Sequence, residues 1–322
     1  MFWKDQKKPM VALAPMDGYT DSAFRLIVRS LDPRIIVFTE FLSADGIMYG
    51  AKPIMKALEF EKGESPLVVQ IFGKDPENLA KAALICQEKG ADAVDVNMGC
   101  PAKKIVNSMH GSALMKDIDL ACRIVSRMKE MVKIPVSVKT RLGWDNNSLL
   151  IPFVKRLEEA GLDHITVHGR TYSQAFKGEA HWETIYELKK NVGITVIGNG
   201  DVTSGEVAIQ KLGNLDGVMV GRATFGNPWL MKEVASHLLD DGVYDSGSLS
   251  FEEKLPLIAY HLKKSVDTKG YRGILEMRKH LACYMKGYPH ASEFRSKFVR
   301  IESYDDGMAL LSEFALLQKE QN

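Results

Sequence analysis

The sequence predicts an α/β protein, a closed (β/α)8 TIM barrel followed by a small C-terminal bundle of α-helices. Three observations predict it. Eight short runs of β-forming character recur through the first 240 residues. Each is followed by a segment that reads as helix, and that alternation builds a parallel sheet covered by helices. Beyond about Asp240 only helical periodicity continues. A doubly wound open sheet is the alternative. Eight units ending in a glycine-rich strand favour closure, and no G-x-G-x-x-G opens a helix.

The strands are expected at Val11–Met16, Ile35–Glu40, Leu67–Phe72, Ala93–Asn97, Val136–Arg141, His164–His168, Ile194–Gly198 and Gly217–Gly221. Asp75-Pro76 supplies an N-cap and a first-turn proline for a helix running to Lys89, stopped at Gly90. Asp117 opens another, to about Met131. Leu149–Ala160 ends at Gly161, and Trp182–Lys190, Ser204–Leu212 and Pro228–Leu239 complete the set. Residues 241–248 have the composition of a linker. Helices then follow at Phe251–Thr268, Arg272–Lys286, Ala291–Ser303 and Asp306–Lys319. The expected domains are therefore 1–240 and 241–322.

Composition sets bounds. The 322 residues carry a net charge of +1, so a basic surface for nucleic acid must be local. Cys86, Cys100, Cys122 and Cys283 are far apart with no C-x-x-C spacing, against metal ligation or a disulfide framework. No metal is expected, and a reducing cytoplasm fits best. The N-terminus has no apolar signal-peptide core, and no run of about 18 apolar residues exists to span a membrane.

The local feature that carries most chemistry is Asp95-Val-Asn-Met-Gly-Cys-Pro-Ala-Lys-Lys104. Pro101 cannot continue a ladder, so Cys100 is presented just past a strand's C-terminal end, where barrel enzymes place their chemistry. Flanked by Lys103 and Lys104, the thiol suits an acid or a nucleophile; a small buried hydrophobe is the plainer alternative. Strand parity adds companions. Gln70, Asn97, Lys139 and His168 stand near the exits of four strands and describe a polar rim on an apolar barrel. Gly198-Asn-Gly-Asp201 and Gly221-Arg222 are glycine-rich turns after the last two strands, the common phosphate site of such barrels, though each alone reads equally as a tight turn. Pro15 and Met16 would wall one side of a flat ring. From Lys263 to Arg300 the bundle holds ten Lys/Arg and three acids, a local excess a phosphate backbone would need.

These segments resemble the tRNA-dihydrouridine synthases of the bacterial type. Ala14-Pro-Met-Asp-Gly18, Gln70-Ile-Phe-Gly73, Asn97-Met-Gly-Cys-Pro-Ala102, Lys139-Thr-Arg141, His168-Gly-Arg-Thr171, Gly198-Asn-Gly-Asp201 and Gly221-Arg222 occur in order, and the tail resembles that family's helical domain at Arg278-Lys-His280, Lys286-Gly287 and Phe294-Arg295. The resemblance implies FMN at the top of the barrel and NADPH as electron donor. It implies that Pro15 and Met16 pack on the ring, and that Gln70 and Lys139 bond its polar edge. His168, Asn199, Gly200, Asp201, Gly221 and Arg222 would serve the ribityl chain and phosphate. Hydride from flavin N5 would go to C6 of a uracil flipped out of tRNA, and Cys100 would protonate C5. Asn97 and Arg170 would contact the uracil, and Arg278, Lys286 and Arg295 the tRNA. A monomer is expected. Tyr172, His181 and Ala23 depart from the family pattern, and Tyr172 weakens any expectation of RNA contact on its loop. Two rivals remain: a flavin barrel acting on a free pyrimidine, as dihydroorotate dehydrogenase does, and an RNA-binding barrel with a vestigial site.

Overall fold

The expected barrel is closed. The computed structural model describes residues 2–102, 110–240 and 244–320. Among these, nine parallel strands make one sheet: β1 (Met10–Leu13), β2 (Ile36–Phe38), β3 (Leu42–Ser43), β4 (Leu67–Phe72), β5 (Ala93–Met98), β6 (Val136–Arg141), β7 (His164–His168), β8 (Thr195–Asn199) and β9 (Gly217–Val220). β1 pairs with both β2 and β9, and β2 pairs with β4, which closes the ring.

The second barrel position differs from expectation. β2 and β3 pair with successive stretches of β4, Val37 with Leu67 and Leu42 with Ile71. They are one stave interrupted at residues 39–41, where a single strand to Glu40 was expected. At the break the Gln70 N–H donates to Thr39 Oγ1 (3.0 Å) instead of to a strand carbonyl. β1 is also shorter than expected and ends at Leu13, so Pro15 and Met16 lie on the loop beyond it.

Alternation along the strands separates two cores. Val11, Val69, Val94, Val138, Val167 and Val218 point outward into the layer beneath the helices. Met10, Ala12, Phe38, Val68, Ala93, Ile197 and Met219 fill the lumen. Trp3 closes the bottom of that lumen from a four-residue helix, α1 (Phe2–Asp5), too short for periodicity to reveal. Its ring stacks on His164 at 4.0 Å between centroids. Burial holds His164 far on the neutral side, its pKa lowered to about 3. Trp3→Ala is expected to cost about 3–5 kcal/mol of stability, the usual penalty for truncating a buried tryptophan. Chemical denaturation of the full chain checks this, and an unchanged midpoint would contradict the plug.

Three outer helices begin at the expected residues Asp75, Asp117 and Ser204, and one after Asp21, where no helix was expected, is capped in the same way. α2 (Ser22–Leu31) is capped by Asp21, α5 (Pro76–Glu88) by Asp75, α6 (Ile118–Met131) by Asp117 and α9 (Gly205–Leu212) by Ser204. Short helices α3 (Ala44–Met48) and α4 (Lys52–Ala57) precede β4; α7 (Leu150–Glu159), α8 (Glu183–Asn191) and α10 (Trp229–Leu239) follow the later strands.

Among the described residues, four further helices follow: α11 (Phe251–Lys269), α12 (Tyr271–Tyr284), α13 (Ala291–Phe298) and α14 (Tyr304–Lys319). They share a core of Phe251, Leu262, Leu281, Phe294, Phe298 and Phe314, which Trp229 of α10 also joins. The packing therefore crosses residue 240. Lys269 pairs with Asp21 (2.6 Å) and Lys264 with Glu61 (2.7 Å), while His261 and His280 pack against Phe24. These contacts fix α11 and α12 against α2, its cap Asp21 and the segment before β4. Among the described residues no helix is long and apolar enough to cross a membrane.

Candidate active site

A cavity of about 590 Å³ opens at the C-terminal ends of the strands. Ala14, Pro15, Met16 and Met219 make one apolar wall. Gln70, Asn97, Lys139, His168 and Asn199 add a polar lining from β4 through β8, and Cys100 lines the same cavity. Gly200, Asp201, Gly221 and Arg222 line one end. One cavity thus gathers residues from strand exits all around the barrel. Apolar and polar side chains sharing one cavity, with a guanidinium among them, suit a flat heteroaromatic ring that carries an anionic tail.

Lys139 faces the cavity from β6, as its parity predicted. Its Nζ donates to Asn199 Oδ1 (3.1 Å), and Asn199 Nδ2 donates to the Met219 carbonyl (2.8 Å). Burial in the barrel mouth lowers the Lys139 ammonium to about 8, with Arg141 adding to the effect. An ammonium has three donors, and among the described residues Asn199 takes one of them. An acceptor in the cavity would complete it.

Cys100 follows β5 on a turn held from behind. The N–H groups of Gly99 and Cys100 donate to Asn97 Oδ1 at 3.1 and 2.9 Å. Gly99 lies against the backbone of Thr140, where an added Cβ would approach within 3.2 Å, so the turn sits tight on β6. Burial raises the Cys100 thiol above its ordinary value; a backbone N–H and the cations Arg141 and Lys139 oppose the rise, and Asp17 adds to it. The group is therefore a thiol near neutrality, which suits a proton donor better than a nucleophile. Lys103 and Lys104 lie outside the described residues.

Arg170, the expected uracil contact, is turned away. It is 3% exposed and does not line the cavity. Its Nη2 donates to both Asp201 oxygens (2.9 and 2.7 Å), and its Nη1 to His168 Nε2 (3.3 Å). Asp201 Oδ2 also accepts from the Ala180 N–H (2.8 Å). The carboxylate expected to serve a cofactor instead staples the loop after β7 to the loop after β8. His168 is kept neutral, far below its ordinary value, by burial and then by Lys139, Arg141, Arg170 and Arg222 around it. Gly200 holds φ +127°, and a Cβ there would meet Ala180 at 2.7 Å and the His168 ring at 3.1 Å, so only glycine fits between them.

Arg141, a motif residue of which no role was expected, shares the parity of Lys139 and is 2% exposed. Its Nε donates to the Gly99 carbonyl (2.8 Å), and its Nη1 to the carbonyls of Thr171 (3.1 Å) and Ala175 (2.7 Å). It joins the thiol turn to the loop after β7 and brings a positive charge beside Cys100. The exposed Phe176 ring lies under both Arg141 (5.4 Å) and Arg222 (4.9 Å). Tyr172 stacks on Trp144 at 3.8 Å, and Lys116 covers the Trp144 ring at 3.3 Å, so this departure from the family pattern is a packing one.

The bundle's positive excess is partly neutralised. Lys264 pairs with Glu61, Lys269 with Asp21 and Glu276, Arg272 with Glu276, and Lys297 with Glu293 and Glu313. Arg278, expected at the tRNA, donates its Nε and Nη2 to the Ile301 carbonyl (3.0 and 2.6 Å) and holds the bundle together. Lys286 and Arg295 are exposed, and with Lys279 their charges converge on Cys283 at the end of α12. That end abuts the cavity rim. Lys279 Nζ lies 4.7 Å from the centroid of the Tyr19 ring, and Tyr19 stacks on Phe225 at 3.7 Å; both rings line the cavity.

Comparison with known proteins gives the family. The family model described as dihydrouridine synthase (Dus) matches residues 12–320. "Probable tRNA-dihydrouridine synthase 1" of Synechocystis sp. is 37% identical over 306 residues, covering 94% of this chain and 85% of that one. "tRNA-dihydrouridine synthase B" of Xanthomonas campestris is 37% identical over 310 residues (95% and 92% covered), and that of Pasteurella multocida 36% over 324 residues (98% and 97%). Among solved structures, a 2-naphthoyl-CoA reductase in complex with 2-naphthoyl-CoA superposes with TM-score 0.56 at 12% identity. The match covers 70% of this chain and spans 50% of that one, and it shows the barrel fold alone. A match over nearly the full length carries the assignment: the chain is an enzyme of the dihydrouridine synthase (Dus) family.

Proposed function

We propose that this enzyme reduces uridine in tRNA to 5,6-dihydrouridine, with FMN held in the barrel mouth and NADPH as the electron donor. The observation that carries the reading is one cavity lined by the Cys100 thiol, the buried Lys139 amine and the apolar side chains of Pro15, Met16 and Met219. Pro15 and Met16 pack on the flat ring, Lys139 Nζ and Gln70 meet its polar edge, and His168, Asn199, Gly200, Gly221 and Arg222 serve the ribityl and phosphate. Asp201 acts on this end through Arg170 and the loops it staples. When bound, FMN supplies the hydride for C6 of the uracil, taken first from NADPH.

The chain's own residues do the rest. Asn97 holds the thiol turn from below, and Arg141 ties that turn to the loop after β7. Cys100 Sγ–H gives its proton to C5 of the uracil. Charged Lys139 stabilises negative charge at the ring edge. Residues 1–240 form the catalytic unit and 241–322 the tRNA-docking unit, with Lys286 and Arg295 meeting phosphate.

Colour provides the test. Purified protein should be yellow, bleach under NADPH without oxygen, and recolour on addition of unmodified tRNA but not of uridine or orotate. Recolouring by a free pyrimidine alone would move the assignment to a small substrate. The acid role also has a pH signature. Cys100 must be protonated to donate, and its pKa lies above the ordinary 9.0. Recolouring by tRNA should keep its rate through neutrality and decline in alkaline solution, first as Lys139 loses its charge at about 8 and then as the Cys100 thiol ionises. A decline toward low pH with a rising limb near neutrality would instead demand a thiolate.

A further inference from the structure

A buried carboxylate sets the direction of a hydrogen-bonded chain that ends on the Cys100 turn. Asp95, Gln70 and Ser137 are fully buried, and Asn97 is nearly so. Asp95 Oδ1 accepts from Ser137 Oγ (2.7 Å), and Oδ2 accepts from Gln70 Nε2 (2.7 Å). Gln70 Oε1 accepts from Asn97 Nδ2 (2.9 Å). Asn97 Oδ1 accepts from the N–H groups of Gly99 and Cys100.

A side-chain amide donates at one end and accepts at the other, whereas a carboxylate only accepts. Asp95 therefore requires the Gln70 NH2 to face it. Gln70 must then offer its oxygen to Asn97, and Asn97 must offer its NH2 to Gln70. That leaves the Asn97 oxygen for the two turn N–H groups. Reversing either amide sets donor against donor or acceptor against acceptor in a buried site, which costs far more than the bond itself contributes. The cavity is lined by Gln70 and Asn97 but not by Asp95. Register places Gln70 opposite Asp95 and Asp95 opposite Ser137 on three neighbouring strands, so the chain is built into the barrel ladder.

We propose that Asp95 is a positioning residue for the reduction of uridine: through Gln70 and Asn97 it fixes the turn that presents the Cys100 thiol, while touching neither substrate nor cofactor. The inference rests on Cys100 being the acid.

The direction of the chain gives a test by charge transposition. In Asn97→Asp the introduced carboxylate faces Gln70 Oε1, acceptor against acceptor. Adding Asp95→Asn relieves this. Gln70 turns over, its NH2 donates to the carboxylate now at position 97, and its oxygen accepts from the amide NH2 now at position 95. The turn N–H groups keep an acceptor throughout. The measurement is single-turnover recolouring of NADPH-reduced protein by tRNA. Asp95→Asn alone should slow it about tenfold with flavin content and tRNA KM held, since coupled neighbours interact at that scale. Asn97→Asp should be slower still, and the double variant should recover about tenfold relative to Asn97→Asp. A double variant as slow as Asn97→Asp or slower would overturn the proposal. Should Asn97→Asp fail to fold, Asp95→Asn in a Cys100→Ala background decides. No further slowing there supports the chain, and a full tenfold further loss removes it. Normal recolouring by Cys100→Ala itself would instead remove the acid role on which the inference stands.

Discussion

Cys100→Ala is expected to give a yellow protein that NADPH bleaches normally and that tRNA recolours at least about a hundredfold more slowly, the lower end of what a positioned general acid contributes. The physical reasons are local. The turn is held through the backbone N–H groups of Gly99 and Cys100, which alanine retains, so the turn should survive. The thiol is half-buried, and removing one sulfur there leaves the flavin walls intact. What disappears is the proton at the point where C5 needs one. Stopped-flow absorbance without oxygen separates the two half-reactions. Recolouring at the normal rate would assign the proton to another group, and slow bleaching by NADPH would place Cys100 in flavin binding rather than in proton transfer.

The second large effect is expected at the bundle. Lys286→Glu with Arg295→Glu should raise the tRNA KM by about tenfold or more and flatten its salt dependence by about one logarithmic unit for each phosphate no longer met. Both side chains are exposed, and among the described residues neither is held in an ion pair. Both stand near Cys283, whose carbonyl would lie 2.3 Å from a Cβ at Gly226 on the loop after β9. Reversing two charges so close to the cavity rim acts on docking and leaves bleaching by NADPH, in which tRNA takes no part, at its normal rate. A tRNA KM and salt slope that both stay put would move the docking surface elsewhere.

Much of this was legible in sequence because the relevant physics is local. Strand parity placed Lys139, His168 and Asn97 at the mouth, and Pro101 ended β5 where the thiol had to emerge. Caps at Asp75, Asp117 and Ser204 followed from side-chain acceptors beside orphan N–H groups. The departures share one cause, the choice of partner across long sequence distance. Arg141 and Arg170 both stand near strand ends, and only the structure separates their partners. Asp201 captures Arg170, and that pairing is set by how two loops pack. The charge excess of residues 263–300 counted lysines that Glu61 and Asp21, far away in the chain, neutralise. The break in the second stave depends on the Thr39 hydroxyl standing in for a strand carbonyl, an exchange that no period reveals. Trp3 sits on too short a helix to show a pattern, and its role appears only when the lumen closes over it. Asp95 shares a strand face with Asn97, but its consequence depends on which neighbours donate to it.

Reducing equivalents from NADPH are expected to end on uridine in tRNA. To measure this, the purified protein is incubated with NADPH and an unmodified tRNA mixture, the RNA is digested, and its nucleosides are weighed. A uridine heavier by two hydrogens should form only with NADPH, and should be absent with the Cys100→Ala protein over the same interval. Unaltered uridine from a yellow protein that NADPH bleaches would refute tRNA as the electron acceptor.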